Sequence, residues 1–404
     1  MLVPLLLAAC GGPPATPAEA PPIDRSKCVL SCPTLGPEWG GGKTRCNADG
    51  TPDTSRCIPV GEIAPEIASV VKPAERDPEK WANARCNDGT PFSYLVRRTE
   101  SKTWLIVFEG GFFCDDERIS CSGRKERLTT SLPVDAGSKS ALQDEGLLSR
   151  NVAINPIFND ANLVGAQYCS SDLWTGEDIA RRPTQGSPEG WFFAGRHNAR
   201  ALLETLIADG LDDDAPETRV LVLGHSAGGA GVVANLDQIT AALPKTAKAG
   251  RLKVVLDGSW VPTQPTDEKL PNGAKWGKLH PACHDAAVKS KESPAHCVYG
   301  PKWWPYVEKT GVPVLIQIAG LDASQAPVFG IRGPELTAQW KDNLKASLEG
   351  VPWVFSVGKR YHTLGLEPSF STTTAHGGFG DIVGRFWAGE KPERLFPGWD
   401  EPIQ

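Results

Sequence analysis

Short apolar runs alternate with amphipathic stretches along most of this chain, and the alternation predicts its architecture. Thr103–Phe108 is rich in aromatic and β-branched side chains and stops at Gly110-Gly111, so it reads as a buried strand. Residues 219–223, 252–256, 313–318 and 352–357 have the same character. Between them, residues 191–210 place Phe193, Ala194, Ala201, Leu202 and Leu206 at helical spacing and end on a glycine. A second helix is expected over 227–243, directly after the 219–223 strand. Strands apolar on both faces, separated by helices, imply an α/β fold with a mainly parallel sheet covered on each side. Ligands of such sheets sit at the carboxyl ends of the strands.

The first 60 residues break this pattern. Residues 1–10 are apolar and end in Leu7-Ala8-Ala9-Cys10, which resembles the lipobox of bacterial lipoproteins and makes Cys10 the expected lipidation site. Residues 11–25 are Pro/Ala-rich and suit an extended tether. Residues 26–60 carry four cysteines with little apolar periodicity and read as a small disulfide-stapled extension. The catalytic domain is expected over 61–404.

Composition narrows the function classes. With 42 Lys+Arg against 48 Asp+Glu the net charge is −6, and no basic block offers a face for nucleic acid. No stretch reaches the ~18 apolar residues needed to cross a bilayer, so membrane attachment is expected only through a lipid on Cys10. Of 11 cysteines, ten remain beside Cys10, an even set that reads as disulfides of an exported, cell-envelope protein. Short-range pairing is expected for Cys114 with Cys121 and for Cys283 with Cys297. Close Cys/His pairs do not recur at matched spacing, so neither a metal nor a cofactor is expected. A monomer acting on a small ester or an acylated carbohydrate fits this inventory.

Gly224-His225-Ser226-Ala227-Gly228 lies where the 219–223 strand turns into the next helix, the placement of a Gly-x-Ser-x-Gly nucleophile elbow. A serine on so tight a turn needs small neighbours two positions away, and the helix start behind it favours developing negative charge. Such a serine attacks an ester only if a base takes its proton and an acid orients that base. Asp322, just past the 313–318 strand, is preferred over Asp257 as the acid. His376, in a loop beyond 352–357, is preferred over His362, which follows that strand more closely. His225 points away from its neighbour Ser226, and His197, His280, His284 and His296 are read as structural. Oxyanion donors are expected from the Ala227 amide and from the glycine-rich loop Glu109-Gly110-Gly111-Phe112.

Four blocks then carry a family resemblance: 109–114, 168–176, 226–229 and 256–260, the second beginning Tyr168-Cys169-Ser170-Ser171-Asp172. Together they resemble the pectin acetylesterase/Notum family over about residues 85–390. The resemblance implies an α/β-hydrolase-like fold and a metal-free serine carboxylesterase. It implies Ser226, Asp322 and His376 as the triad, and Gly111, Phe112 and Ala227 as oxyanion donors. Asp257 would then belong to a structural turn. The family usually has tryptophan near the oxyanion loop, where this chain has Phe112 and Phe113. Phe113, Trp174 and Trp260 are the expected pocket residues, lining an acyl pocket or stacking on sugar rings. A short acyl group on carbohydrate is the expected substrate, with a longer-chain lipase or deacylase, or a catalytically silent glycan- or partner-binding lipoprotein, as the alternatives.

Overall fold

The computed structural model describes residues 68–133, 146–152, 154–264, 275–358, 360–366 and 378–399. Cys10, the tether, the Cys-rich extension and His376 lie outside them. Among the described residues thirteen strands follow in chain order: β1 (Ser69–Val71), β2 (Tyr94–Arg97), β3 (Thr103–Phe108), β4 (Asn162–Ala166), β5 (Asp178–Thr184), β6 (Ser187–Phe193) and β7 (Arg219–His225), then β8 (Leu252–Asp257), β9 (Val314–Gln317), β10 (Leu321–Asp322), β11 (Trp353–Phe355), β12 (Arg360–Tyr361) and β13 (Arg394–Leu395). Nine of them form one sheet in the order β1-β2-β4-β3-β7-β8-β9-β11-β13. Pairing is antiparallel at β1–β2 and β2–β4 and parallel from β4 to β13.

Alternation along each strand explains why both faces are covered. Trp104, Ile106, Phe108, Val220, Val222 and Val254 turn into one core. Leu105, Val107, Leu221, Leu223 and Val255 turn into the other, packed on the helix Phe379–Ala388. The expected α/β-hydrolase-like architecture is therefore present.

Two elements differ from expectation. The helix expected over 191–210 begins only at Gly195 and runs to Ala208. Trp191 and Phe193 instead belong to β6, where they pack on the Cys114–Cys121 disulfide, while Phe192 on the opposite face lies under the guanidinium groups of Arg85 and Arg181. Apolar residues in sequence here reflect a strand covered on both sides. The helix expected over 227–243 is two helices, Ala227–Ala234 and Leu236–Ala242. They break at Asn235, whose amide donates to the carbonyls of Trp174 and Gly231.

Cys114–Cys121 and Cys283–Cys297 pair as expected, and a third disulfide, Cys86–Cys169, joins residues 83 apart. Three such bonds among the described residues suit an oxidising compartment.

Candidate active site

Ser226 caps β7 at φ 55° and ψ −121°, before the helix Ala227–Ala234. The left-handed φ turns its hydroxyl out of the sheet edge, and tight packing holds the residue there. A Cβ at Gly228 would collide with the carbonyl oxygen of Phe108, and one at Gly224 with the backbone of Gly229. The Ser226 amide donates to Asp257 O at 2.8 Å, and its carbonyl accepts from Ser259 Oγ at 2.7 Å.

Asp322 and His362 approach Ser226 from adjacent strands. Gln317 of β9 is paired with Phe355 of β11, so the segments leaving these strands emerge side by side. Asp322, five residues beyond Gln317, lies in β10, which pairs with β12 (Asp322 with Tyr361) and so delivers His362 to the serine. His362 Nε2 lies 2.7 Å from Ser226 Oγ, and Nδ1 lies 2.8 and 3.0 Å from the two carboxylate oxygens of Asp322. Among the described residues the imidazole beside Ser226 is thus His362, the rival in the sequence reading; His376, preferred there, lies outside the described residues. The in-register neighbours β9 and β11 place a group seven residues past Phe355 at Asp322, a signal that chain order and family likeness did not carry.

Asp322 is fully buried, and Oδ1 also accepts the amides of Ser324 at 2.9 Å and Gln325 at 2.7 Å. Burial by itself disfavours a charged imidazole at His362. The hydrogen bond and charge of Asp322, with the charge of Asp257, outweigh that and hold its pKa above the ordinary 6.5.

Phe112, Phe113, Ser226, Ala227 and His362 border one cavity of about 100 Å³, whose remaining wall is mostly apolar. Part of that wall (Leu279, Cys297, Val298 and Trp303) comes from the excursion between β8 and β9, which matched no expected element. Gly110 sits hard against the elbow: a Cβ there would lie 2.7 Å from Ser226 Cβ. Trp174 and Trp260, expected to line the pocket, do not. Trp174 is buried against Phe108 and Tyr168, with Nε1 donating to Glu109 O at 3.1 Å. Trp260 is buried against Trp303, with Nε1 donating to Ser347 Oγ at 2.9 Å. Their indoles serve the core because each N–H finds an acceptor inside it.

The model of the pectinacetylesterase family matches residues 77–341. The chain belongs to the pectinacetylesterase family. That match includes Ser226 and Asp322 but ends before His362, so His362 is placed by the geometry. The palmitoleoyl-protein carboxylesterase NOTUM of Drosophila melanogaster is 30% identical over 288 residues, 67% of this chain and 42% of that protein. Notum1a of Danio rerio is 28% identical over 299 residues, 67% of this chain and 56% of that protein. The chain thus spans about half the length of these curated relatives. A crystal structure of the Drosophila Wnt deacylase Notum shares the fold with a TM-score of 0.67 at 24% identity, covering 83% of this chain and 99% of that one.

In this family member Asp257, the rival of Asp322 in the sequence reading, ties the Ser226 turn to the segment just past His362. It is fully buried, and its carboxylate accepts the amides of Leu364 at 3.0 Å and Gly365 at 2.8 Å, two and three residues past His362. His225 Nδ1 faces the same carboxylate at 3.6 Å, too far for a hydrogen bond. Asp257→Ala leaves two buried amides without acceptors and should lower stability by about 2–5 kcal/mol. Asp257→Asn keeps one oxygen and should lose less. Urea unfolding of the two variants checks the order, and equal stability of Asp257→Ala and wild type would refute it.

Proposed function

We propose that the chain is a carboxylic ester hydrolase working by acyl transfer through Ser226, His362 and Asp322. The single observation that supports this most is the unbroken relay from Ser226 Oγ to His362 Nε2 at 2.7 Å and from His362 Nδ1 to Asp322 at 2.8 Å. His362 accepts the serine proton as Oγ attacks the ester carbonyl, while Asp322 holds the tautomer with Nδ1 protonated. The tetrahedral oxyanion is received by the amides of Ala227, Phe112 and Gly111. As it collapses, His362 returns the proton to the departing alcohol oxygen, leaving an acyl-Ser226 that water then hydrolyses by the same route. A silent binding protein has no use for a serine so aligned.

The cavity beside Ser226 supports an apolar acyl chain longer than acetyl. One water needs about 10–15 Å³ on the same measure, so about 100 Å³ exceeds what a two-carbon acyl group fills. The indoles once available to stack on sugar rings, Trp174 and Trp260, are buried in the core, which weakens the short-acyl carbohydrate reading. The curated relatives act, by name, on palmitoleoyl-protein, and a hydrophobic acyl group is the shared element carried over here.

Ser226→Ala and His362→Ala should each lower turnover of a p-nitrophenyl ester by several orders of magnitude, whereas His376→Ala should stay within about threefold of wild type. Full activity in His362→Ala would refute the assignment. Because neutral His362 is the working base and its pKa lies above 6.5, log kcat/KM should bend downward on acidification at a pH above 6.5. A bend below 6 would contradict the link to Asp322. Each methylene entering the cavity should raise kcat/KM about fourfold, from ~0.8 kcal/mol of apolar burial, until the cavity is full. A series from acetyl to octanoyl esters measures this, and a maximum at acetyl would restore the short-acyl reading.

A further inference from the structure

The oxyanion loop adopts a conformation that its own residues disfavour. Phe112 has φ 63°, in the left-handed region where a bulky side chain is strained. The peptide joining Gly111 to Phe112 is also one whose N–H the proposed acyl transfer uses. A strained peptide keeps one orientation only where its surroundings over-determine it.

Those surroundings centre on Arg124, which sequence reasoning did not single out. Its Nη1 donates to Gly111 O at 2.7 Å and its Nε to Ser171 Oγ at 3.0 Å. Ser171 is left-handed too, at φ 53°, and its carbonyl accepts the Cys114 amide at 3.2 Å. The guanidinium therefore braces two strained turns against each other, one at 111–112 and one at 171. Its Nη2 is buried with no partner among the described residues, so little solvent screens the charge. Phe112 and Ser226 border the acyl cavity, and Arg124 lies behind them, off its wall.

In a trans peptide the C=O and N–H point in opposite directions. A cation drawn against Gly111 O thus turns the Phe112 N–H away from itself. The charge-assisted bond also withdraws electron density from the peptide, making that N–H a stronger donor as negative charge develops on the ester oxygen. We infer that Arg124 is a positioning residue of the oxyanion hole, orienting and polarising the Phe112 N–H through the Gly111 carbonyl. The inference rests on the acyl-transfer reading and adds to it the group behind the hole.

The test compares Arg124→Ala and Arg124→Gln with wild type, all as the full chain, on p-nitrophenyl hexanoate. Two inhibitors of matched chain length accompany it: a trifluoromethyl ketone, which adds Ser226 to give a tetrahedral oxyanion, and hexanamide, which does not. Arg124→Ala should lose about 10- to 100-fold in kcat, less than the ~10²–10³ for removing a donor outright, with KM within about threefold. Affinity for the ketone should fall by the same factor while that for hexanamide holds. Arg124→Gln, which keeps a neutral donor, should lie between the two and carries the same comparison if Arg124→Ala fails to fold. Millimolar methylguanidinium should restore part of the Arg124→Ala turnover, and the acid bend of the pH profile should not move. Unchanged kcat, or hexanamide affinity falling in step with ketone affinity, would overturn the inference and leave a merely structural brace. Turnover surviving in Ser226→Ala overturns the acyl-transfer reading and this inference together. Turnover lost in Ser226→Ala but kept in Arg124→Ala overturns the inference alone.

Discussion

The buried carboxylate of Asp322 constrains everything around it. A charge removed from water survives only with close partners, and Asp322 gathers an imidazole and two backbone amides. Satisfying it obliges β10 and β12 to pair, and that pairing sets His362 against Ser226. Stability and geometry are here the same requirement: the contacts that make the carboxylate tolerable inside the fold also aim the imidazole. Asp257 repeats the logic one strand away, its backbone oxygen held by the nucleophile turn and its carboxylate by the loop beyond His362.

Backbone strain collects at the same end of the sheet. Phe112, Ser171, Leu173, Trp174 and Ser226 all have left-handed φ values although none is glycine. The first four lie in segments tied down by Arg124, by the Cys86–Cys169 and Cys114–Cys121 disulfides, or by the hydroxyl of Tyr168, which accepts the Leu173 amide at 2.7 Å, and Ser226 is held by Asp257 O and Ser259 Oγ. Asp172 anchors the turn among them, accepting the amides of Trp174, Gly176 and Gly195. The 168–176 block is thus less a substrate-binding motif than a buttress for the loop in front of it.

What the sequence revealed follows from the range of each signal. Strands β3, β7, β8, β9 and β11 were legible because a doubly covered strand is apolar at every position, and the nucleophile turn because its glycines are required by contacts within a few residues. Asp322 was legible as the first carboxylate beyond a strand end. His362 was not preferred, because choosing between two histidines depends on β9 and β11 being neighbours in register, a long-range pairing that no local pattern encodes. Trp174 and Trp260 misled for a related reason: an indole looks the same in a pocket wall and in a core, and only a buried acceptor such as Glu109 O tells them apart. Arg124 stayed hidden because its partner is a carbonyl, which every residue possesses.

The cavity wall has a different origin from the Ser226–His362–Asp322 relay. Ser226, Asp322 and His362 stand on the ends of sheet strands or on the short pair that extends them, whereas Leu279, Cys297, Val298 and Trp303 belong to an excursion between β8 and β9 that is cross-linked by Cys283–Cys297. Relay and cavity wall thereby come from separate stretches of chain. Substitutions in the excursion would reshape the cavity while leaving the Ser226–His362–Asp322 relay intact, so the two are free to drift apart.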